Sequence, residues 1–101
     1  MKTILLENNT QQYMTGNVQI KVFNPNVETK HYDLYFIDND GTNKSYLSNR
    51  DIYPQNSDDR LMDVISFTGL VLNPGVNLVF ESECDNLLVK VSEVQLRSYP
   101  K

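Results

Sequence analysis

Val18-Gln19-Ile20-Lys21-Val22 alternates strictly between apolar and polar side chains, and Asn24-Pro25-Asn26 follows almost at once. A period of two places Val18, Ile20 and Val22 on one face of an extended chain, which is the pattern of a half-buried β-strand. Proline and asparagine favour turns, so we expect the strand to end there. A strand followed by a polar turn is therefore the basic unit of this sequence.

The same unit recurs along the chain. Tyr32, Leu34 and Phe36 alternate with more polar neighbours and lead into Asp38-Asn39-Asp40-Gly41, a strong hairpin signal because aspartate and glycine tolerate positive φ. Further strands are expected at residues 44–47 (extending to Tyr53 after an irregularity around Ser48-Asn49), 61–67, 70–72, 76–81 and 87–96. Residues 61–65 are also compatible with a single helical turn.

About seven short strands with turn-forming residues between them predict an all-β fold. The spacing favours a single antiparallel β-sandwich, either immunoglobulin-like or jelly-roll-like. Residues 16–101 are assigned to this domain, with a polar loop at 54–59. Residues 1–15 form either a first strand, around Ile4-Leu5-Leu6, or an arm that docks on a neighbouring subunit.

Composition excludes several functional classes. The chain has 101 residues, a net charge of −4 and basic residues scattered singly, which argues against binding a nucleic-acid backbone. No apolar run approaches the length of a membrane span, so no membrane partner is expected. With Cys84 as its single cysteine, the chain can form no internal disulfide. Two glycosylation sequons, at Asn8 and Asn43, are interpreted as chance in an asparagine-rich sequence.

The candidate chemical sites each have a simpler structural interpretation. His31 is the only histidine and has no cysteine near it in sequence, so neither a metal site nor a catalytic triad is predicted. Residues 38–43 resemble half of a calcium loop, but the glycine falls at the fourth position instead of the sixth. Asp58, Asp59 and Asp63 lie in a polar segment with nothing to desolvate them, and the acidic neighbours of Cys84 disfavour a thiolate. We therefore expect no catalytic residue, no cofactor and no metal.

Tyrosines are the most informative surface candidates. Tyrosine is enriched in protein interfaces because it combines apolar area with a hydrogen-bonding tip. Tyr32 belongs to the predicted core face, whereas Tyr35, Tyr46 and Tyr53, and also Tyr99, are expected at the surface. We predict Tyr35, Tyr46 and Tyr53 as partner-binding residues. Cross-strand packing within a sheet is the alternative for about half of these tyrosines.

The C-terminal half resembles a known group of proteins. Gly69-Leu70-Val71-Leu72-Asn73-Pro74-Gly75-Val76-Asn77-Leu78, followed by Asn86-Leu87-Leu88-Val89-Lys90-Val91-Ser92, resembles the strand and turn pattern of small virion proteins of tailed bacteriophages. Val22-Phe23-Asn24-Pro25-Asn26 and Leu34-Tyr35-Phe36-Ile37-Asp38 extend the resemblance, which covers roughly residues 18–96. The chain departs from the pattern at residues 45–63 and at Cys84.

This resemblance implies a non-catalytic part of a virion that is assembled in the host cytoplasm. The expected role is that of a capsid auxiliary or decoration protein that binds the major capsid protein. A head–tail joining or tail component, with neck or tail proteins as partners, is the alternative, and the chain is also compatible with a homo-oligomer. A carbohydrate- or peptide-binding β-sandwich module is a further alternative, for which Tyr46 and Tyr53 would supply the aromatic platform.

Overall fold

The computed structural model describes residues 1–42, 44–53 and 63–99, without the side chains of 92–96, 98 and 99. Every regular element in these ranges is a β-strand, which confirms the all-β prediction. No helix long and apolar enough to span a membrane is found among the described residues. The strands are β1 (Lys2–Glu7), β2 (Tyr13–Phe23), β3 (Lys30–Asp38), β4 (Lys44–Ile52), β5 (Asp63–Leu72), β6 (Val76–Glu81) and β7 (Leu88–Tyr99).

The strands form two antiparallel sheets that pack together as a β-sandwich. One sheet has four strands in the order β1-β6-β3-β4, and the other has three in the order β5-β2-β7. The core lies between them and takes side chains from both sheets. Its buried members are Val18, Ile20, Val22, Tyr32, Leu34, Ile52, Leu70, Leu78, Phe80 and Leu87. The alternating residues of β2 and β3 face this core as predicted, because period-two side chains share one side of a strand.

The connectivity distinguishes between the two predicted kinds of sandwich. β3 pairs with β4, β2 with β5, and β1 with β6, so the three pairs are nested within one another. Such nesting is produced when a long two-stranded ribbon is rolled around a core, which is the jelly-roll winding. An immunoglobulin-like order would instead place β1 beside β2 and β7 beside β6. β7 pairs with β2 on the side opposite β5 and is the third strand of that sheet.

Each of the four edge strands contains one extra residue relative to its inner neighbour. The register shifts lie between Ile4 and Leu6 in β1, between Tyr46 and Ser48 in β4, between Phe67 and Leu70 in β5, and between Val91 and Glu93 in β7. These are β-bulges, which increase the local twist and interrupt the regular ladder. In β5 the bulge includes Gly69 at φ +71°, a conformation that glycine adopts without steric cost.

Two fully buried asparagines hold the loops that cross between the sheets. Asn8, after β1, donates from Nδ2 to the carbonyls of Gln12 and Leu72, both at 2.8 Å, and its Oδ1 accepts from Thr10. Asn24, after β2, repeats this pattern. Its Nδ2 donates to the carbonyls of Glu28 and Ile52, both at 2.9 Å, and its Oδ1 accepts from Asn26. Buried amides need such partners, and here both are satisfied.

The structure changes several predicted boundaries. The segments expected at 61–67 and 70–72 belong to one strand, β5, because the Gly69 bulge bends the strand without ending it. The irregularity expected around Ser48-Asn49 in β4 lies at Leu47. Residues 2–7 form β1 and pair with β6 of the same chain. The loop at 54–59, Leu61, Met62 and the sequon residue Asn43 lie outside the described residues.

Candidate interaction face

The outer face of the four-stranded sheet, directed away from the core, carries an apolar row that crosses all four strands. Ile4 of β1 pairs with Val79 of β6, Val79 pairs with Tyr35 of β3, and Tyr35 pairs with Tyr46 of β4. We call Ile4, Val79, Tyr35 and Tyr46 the tyrosine row. Paired residues on one face lie about 5 Å apart between Cβ atoms, so the four side chains are neighbours along the row. Val79 and Tyr35 are buried within it, and Ile4 and Tyr46 are its exposed ends.

Tyr35 is fully buried, so the prediction that it lies at the surface is wrong. Alternation places it on the outer face, but its neighbours cover it. The Tyr46 ring packs against it with centroids 5.6 Å apart and planes tilted by 58°. The Lys44 ammonium lies 4.4 Å from the Tyr35 ring centre, within the range of a cation–π contact. Tyr35 therefore forms a base on which other side chains rest.

A short hydrogen bond fixes the base of the tyrosine row. The Tyr35 hydroxyl donates to Oε1 of Glu81 at 2.6 Å. Burial raises the pKa of Tyr35 well above its ordinary value, and the bond to the Glu81 carboxylate adds to the rise. The same bond, helped by Lys44 and Lys2, lowers the pKa of Glu81. At neutral pH the hydroxyl is thus protonated and the carboxylate charged, as this bond requires.

Of the tyrosines that were predicted at the surface, Tyr46 is the one that is exposed and lies in the tyrosine row. Its side chain is 57% exposed, and the Lys44 ammonium lies 5.6 Å from its ring centre. Tyr53 is 55% exposed but follows the other end of β4. Tyr53 lies seven positions beyond Tyr46, which corresponds to roughly 20 Å of extended chain. The structure therefore brings Tyr35 and Tyr46 together and leaves Tyr53 apart. The side chain of Tyr99 lies outside the described set.

His31 bridges two carboxylates at one end of this face. Its Nδ1 lies 2.9 Å from Oδ1 of Asp51 on β4, and its Nε2 lies 3.2 Å from Oδ1 of Asp33 on β3. The bond to Asp51 is the main reason that the pKa of His31 is raised; burial opposes this rise, and Asp33 supports it. The histidine thus links the edge strand β4 to the central strand β3.

The other predicted candidates have local hydrogen bonds. Oδ1 of Asp40 accepts from the backbone N–H and the hydroxyl of Thr42, at 3.0 and 2.8 Å, which closes the β3–β4 turn. Cys84 is half-buried, and its thiol donates to Oδ1 of Asn86 at 2.8 Å. Within the described ranges, no group of three or more His, Cys, Asp or Glu residues is placed to hold a metal ion. Asp58 and Asp59 lie outside those ranges.

A recess of about 790 Å³ opens beside this face, between the start of β1, the start of β3 and the end of β6. Its wall includes Met1, Asp33 and Glu81. The N-terminal ammonium group donates to the carbonyl of Ser82 and lies 3.1 Å from a carboxylate oxygen of Asp85. Within the wall, the Ser82 hydroxyl donates to the carbonyl of His31 and accepts from the backbone N–H of Cys84.

Sequence reasoning missed Ile4, Val79, Lys44 and Glu81 as parts of this face. Alternation along β1 and β6 indicates which side each residue faces. The register that aligns Ile4, Val79, Tyr35 and Tyr46 depends on pairing between distant segments, for which a single sequence carries no local signal. In comparisons with known proteins, no family model, no curated protein and no solved structure matches the chain.

Proposed function

We propose that the protein is a non-catalytic structural component of a bacteriophage virion, a decoration protein that binds the major capsid protein through the tyrosine row. The resemblance of residues 18–96 to small phage virion proteins supports the virion assignment. A jelly-roll sandwich is a common architecture among viral capsid domains, which agrees with it. The overall dimensions, 47 × 26 × 16 Å, are those of a slab whose two broad faces suit docking on an extended surface.

The observation that carries the proposal is the half-exposed Tyr46 held on the buried Tyr35. Tyrosine is among the residues that contribute most to binding when they are fixed near the centre of an interface. The base below Tyr46 is rigid, because Tyr35 is bonded to Glu81 and covered by Lys44. An aromatic side chain that is already ordered loses little conformational entropy when a partner covers it. Tyr46, at the exposed end of the tyrosine row, is therefore suited to protein docking.

The test uses virions of the phage whose genome encodes the chain. Mass spectrometry of purified virions should find the protein, and particles lacking it should rebind the purified protein at many sites on the shell. Tyr46→Ala should weaken this rebinding by about thirtyfold, which corresponds to roughly 2 kcal/mol. Tyr53→Ala is the matched control, because it removes an equally exposed tyrosine from another site.

The outcomes separate the alternatives. Absence of the chain from purified virions would overturn the proposed function. Location only at the neck or the tail by electron microscopy would replace the decoration role with head–tail joining or a tail role. Binding to a glycan array that depends on Tyr46, in a chain absent from virions, would favour the carbohydrate-binding module. Loss of rebinding in Tyr53→Ala but not in Tyr46→Ala would show that the docking surface is a different one.

A further inference from the structure

The outer face of the three-stranded sheet carries an unfavourable charge pair. Lys21 of β2 lies directly opposite Lys90 of β7, and Val64 of β5 flanks Lys21 on the other side. Like charges at directly opposed positions of neighbouring strands repel each other and lower stability. Among the side chains that the structure describes, no carboxylate forms an ion pair with either lysine. Among the described side chains, the repulsion is therefore not compensated.

Apolar side chains surround this pair on the same face. Two residues beyond Lys21 along β2, and therefore on the same face, Phe23 pairs with Leu88 of β7. Leu88 is 59% exposed and Val64 is 47% exposed. Phe23 is half-buried and does not belong to the core between the sheets. We call Lys21, Phe23, Val64, Leu88 and Lys90 the lysine patch.

We propose that the lysine patch is a docking site for an acidic protein surface, one that presents two carboxylates beside an apolar side chain. Two carboxylates would neutralise the repulsion between Lys21 and Lys90, and an apolar side chain would cover Leu88 and Val64. Complementary charge fixes orientation and raises the association rate. The chain as a whole carries a net charge of −4, so the patch is a local exception on an acidic molecule.

The chemistry of the patch favours a protein over a nucleic acid. A phosphate backbone requires many basic contacts, and its affinity depends on the number of charges that are neutralised. Here two lysines stand among three apolar side chains, a mixture typical of protein interfaces. This proposal does not rest on the decoration role, because the lysine patch and the tyrosine row lie on opposite faces of the sandwich.

The test is a peptide-display selection on the immobilised full-length protein. Enriched peptides are expected to carry two or more Asp or Glu residues next to an apolar residue. A synthetic peptide of that sequence should bind more weakly as salt is raised, because screening weakens exposed charge pairs. Lys90→Glu should weaken its binding by about tenfold or more. Lys2→Glu, the same charge change on the opposite sheet, should leave the affinity within about twofold.

Thermal unfolding of the same variants shows whether a loss of peptide binding is caused by misfolding. Lys90→Glu places a carboxylate directly opposite the Lys21 ammonium. The Tm of this variant should therefore rise by about 1 to 4 °C while its binding of the peptide falls. The proposal is overturned if no acidic peptide is enriched, or if the enriched peptide binds Lys90→Glu as well as it binds the parent protein. Displacement of the bound peptide by a single-stranded oligonucleotide would also overturn the proposal, in favour of a nucleic acid. A dimer of the parent protein that Lys90→Glu dissociates would overturn it in favour of a second copy of the chain.

Discussion

Asn8 and Asn24 show how single polar side chains hold the corners of this sandwich. Each is fully buried, donates twice to backbone carbonyls and accepts twice within its own loop. The second carbonyl in each case, of Leu72 or Ile52, belongs to a strand distant in sequence. Thr10, which completes the sequon at Asn8, bonds to Oδ1 of Asn8. The sequon residues thus have a structural explanation within the loop.

We predict that Asn8→Ala and Asn24→Ala each lower the free energy of unfolding by about 2–4 kcal/mol, because each leaves buried carbonyls without a donor. Asn8→Asp should cost at least as much, since it loses both donors and buries a charge. Urea denaturation followed by circular dichroism measures the change. Asn9→Ala is the control, since Asn9 is exposed and makes one long bond to Glu7. Equal effects at Asn8 and Asn9 would contradict the prediction.

At the scale of strands, β4 is held to its neighbour by the ladder and by the His31 bridge. His31 and Asp51 are directly paired positions of β3 and β4, and Asp33 lies two residues along β3. A protonated imidazole donates from both nitrogens, whereas the neutral ring has one N–H and can donate to one carboxylate only. Both bonds of His31, to Asp51 across the strand pair and to Asp33 along β3, therefore form together with donated protons only when His31 carries a charge.

We predict that the His31 bridge strengthens the β3–β4 pair in mildly acidic solution. Because the folded pKa is raised, this contribution is fully present below the unfolded value of about 6.5 and is lost as pH rises through the folded pKa. The proton NMR titration of His31 should therefore give a pKa above 6.5. The backbone amide of Asp51 should show the same transition.

Asp51→Asn tests the cause of this shift. It should move the pKa of His31 down towards its ordinary value, because the bond to Asp51 is the largest contribution to the rise. Asp40→Asn removes the same charge beyond the far end of β3 and should leave the His31 pKa unchanged. A parent pKa at or below 6.5, or equal shifts in the two variants, would rule out the bridge.

For the whole molecule, the bulges on all four edge strands restrict how it can associate. An unpaired strand edge is a template for pairing with another chain, and bulges are one way in which proteins block it. Here the extra residue occurs in the edge strand every time, in β1, β4, β5 and β7. Association through the sheet faces remains open, which agrees with both proposed docking surfaces.

We predict that deleting Leu47 makes the protein self-associate through β4. Leu47 is the extra residue of that strand, so its deletion keeps every β3–β4 pair while it straightens the edge. Sedimentation velocity at concentrations of roughly 100 µM should show a larger share of dimers or higher species for the variant than for the parent protein. Leu47→Ser keeps the bulge and should behave like the parent. A monomeric deletion variant would show that this bulge does not protect the edge.

Several features of this protein could be predicted from its sequence because they depend on near neighbours in the chain. Alternation identified the core sides of β2 and β3, and proline, asparagine and glycine marked most turns. The sandwich class followed from these local signals. The number of strands agrees with the seven expected, but two expected segments are joined in β5 and β1 is the seventh strand. Tyr46 was also expected at the surface, as it is found.

The tertiary structure alone decided which strands pair, and with them the candidate sites. Tyr35 faces outward as its alternation requires, yet it is buried because the bulge at Leu47 sets Tyr46 and Lys44 beside it. Lys21 and Lys90 are 69 positions apart in the sequence and meet only through the β2–β7 register. The physical reason is that side-chain direction along a strand is a local property, whereas register is set by the packing of distant segments around a shared core.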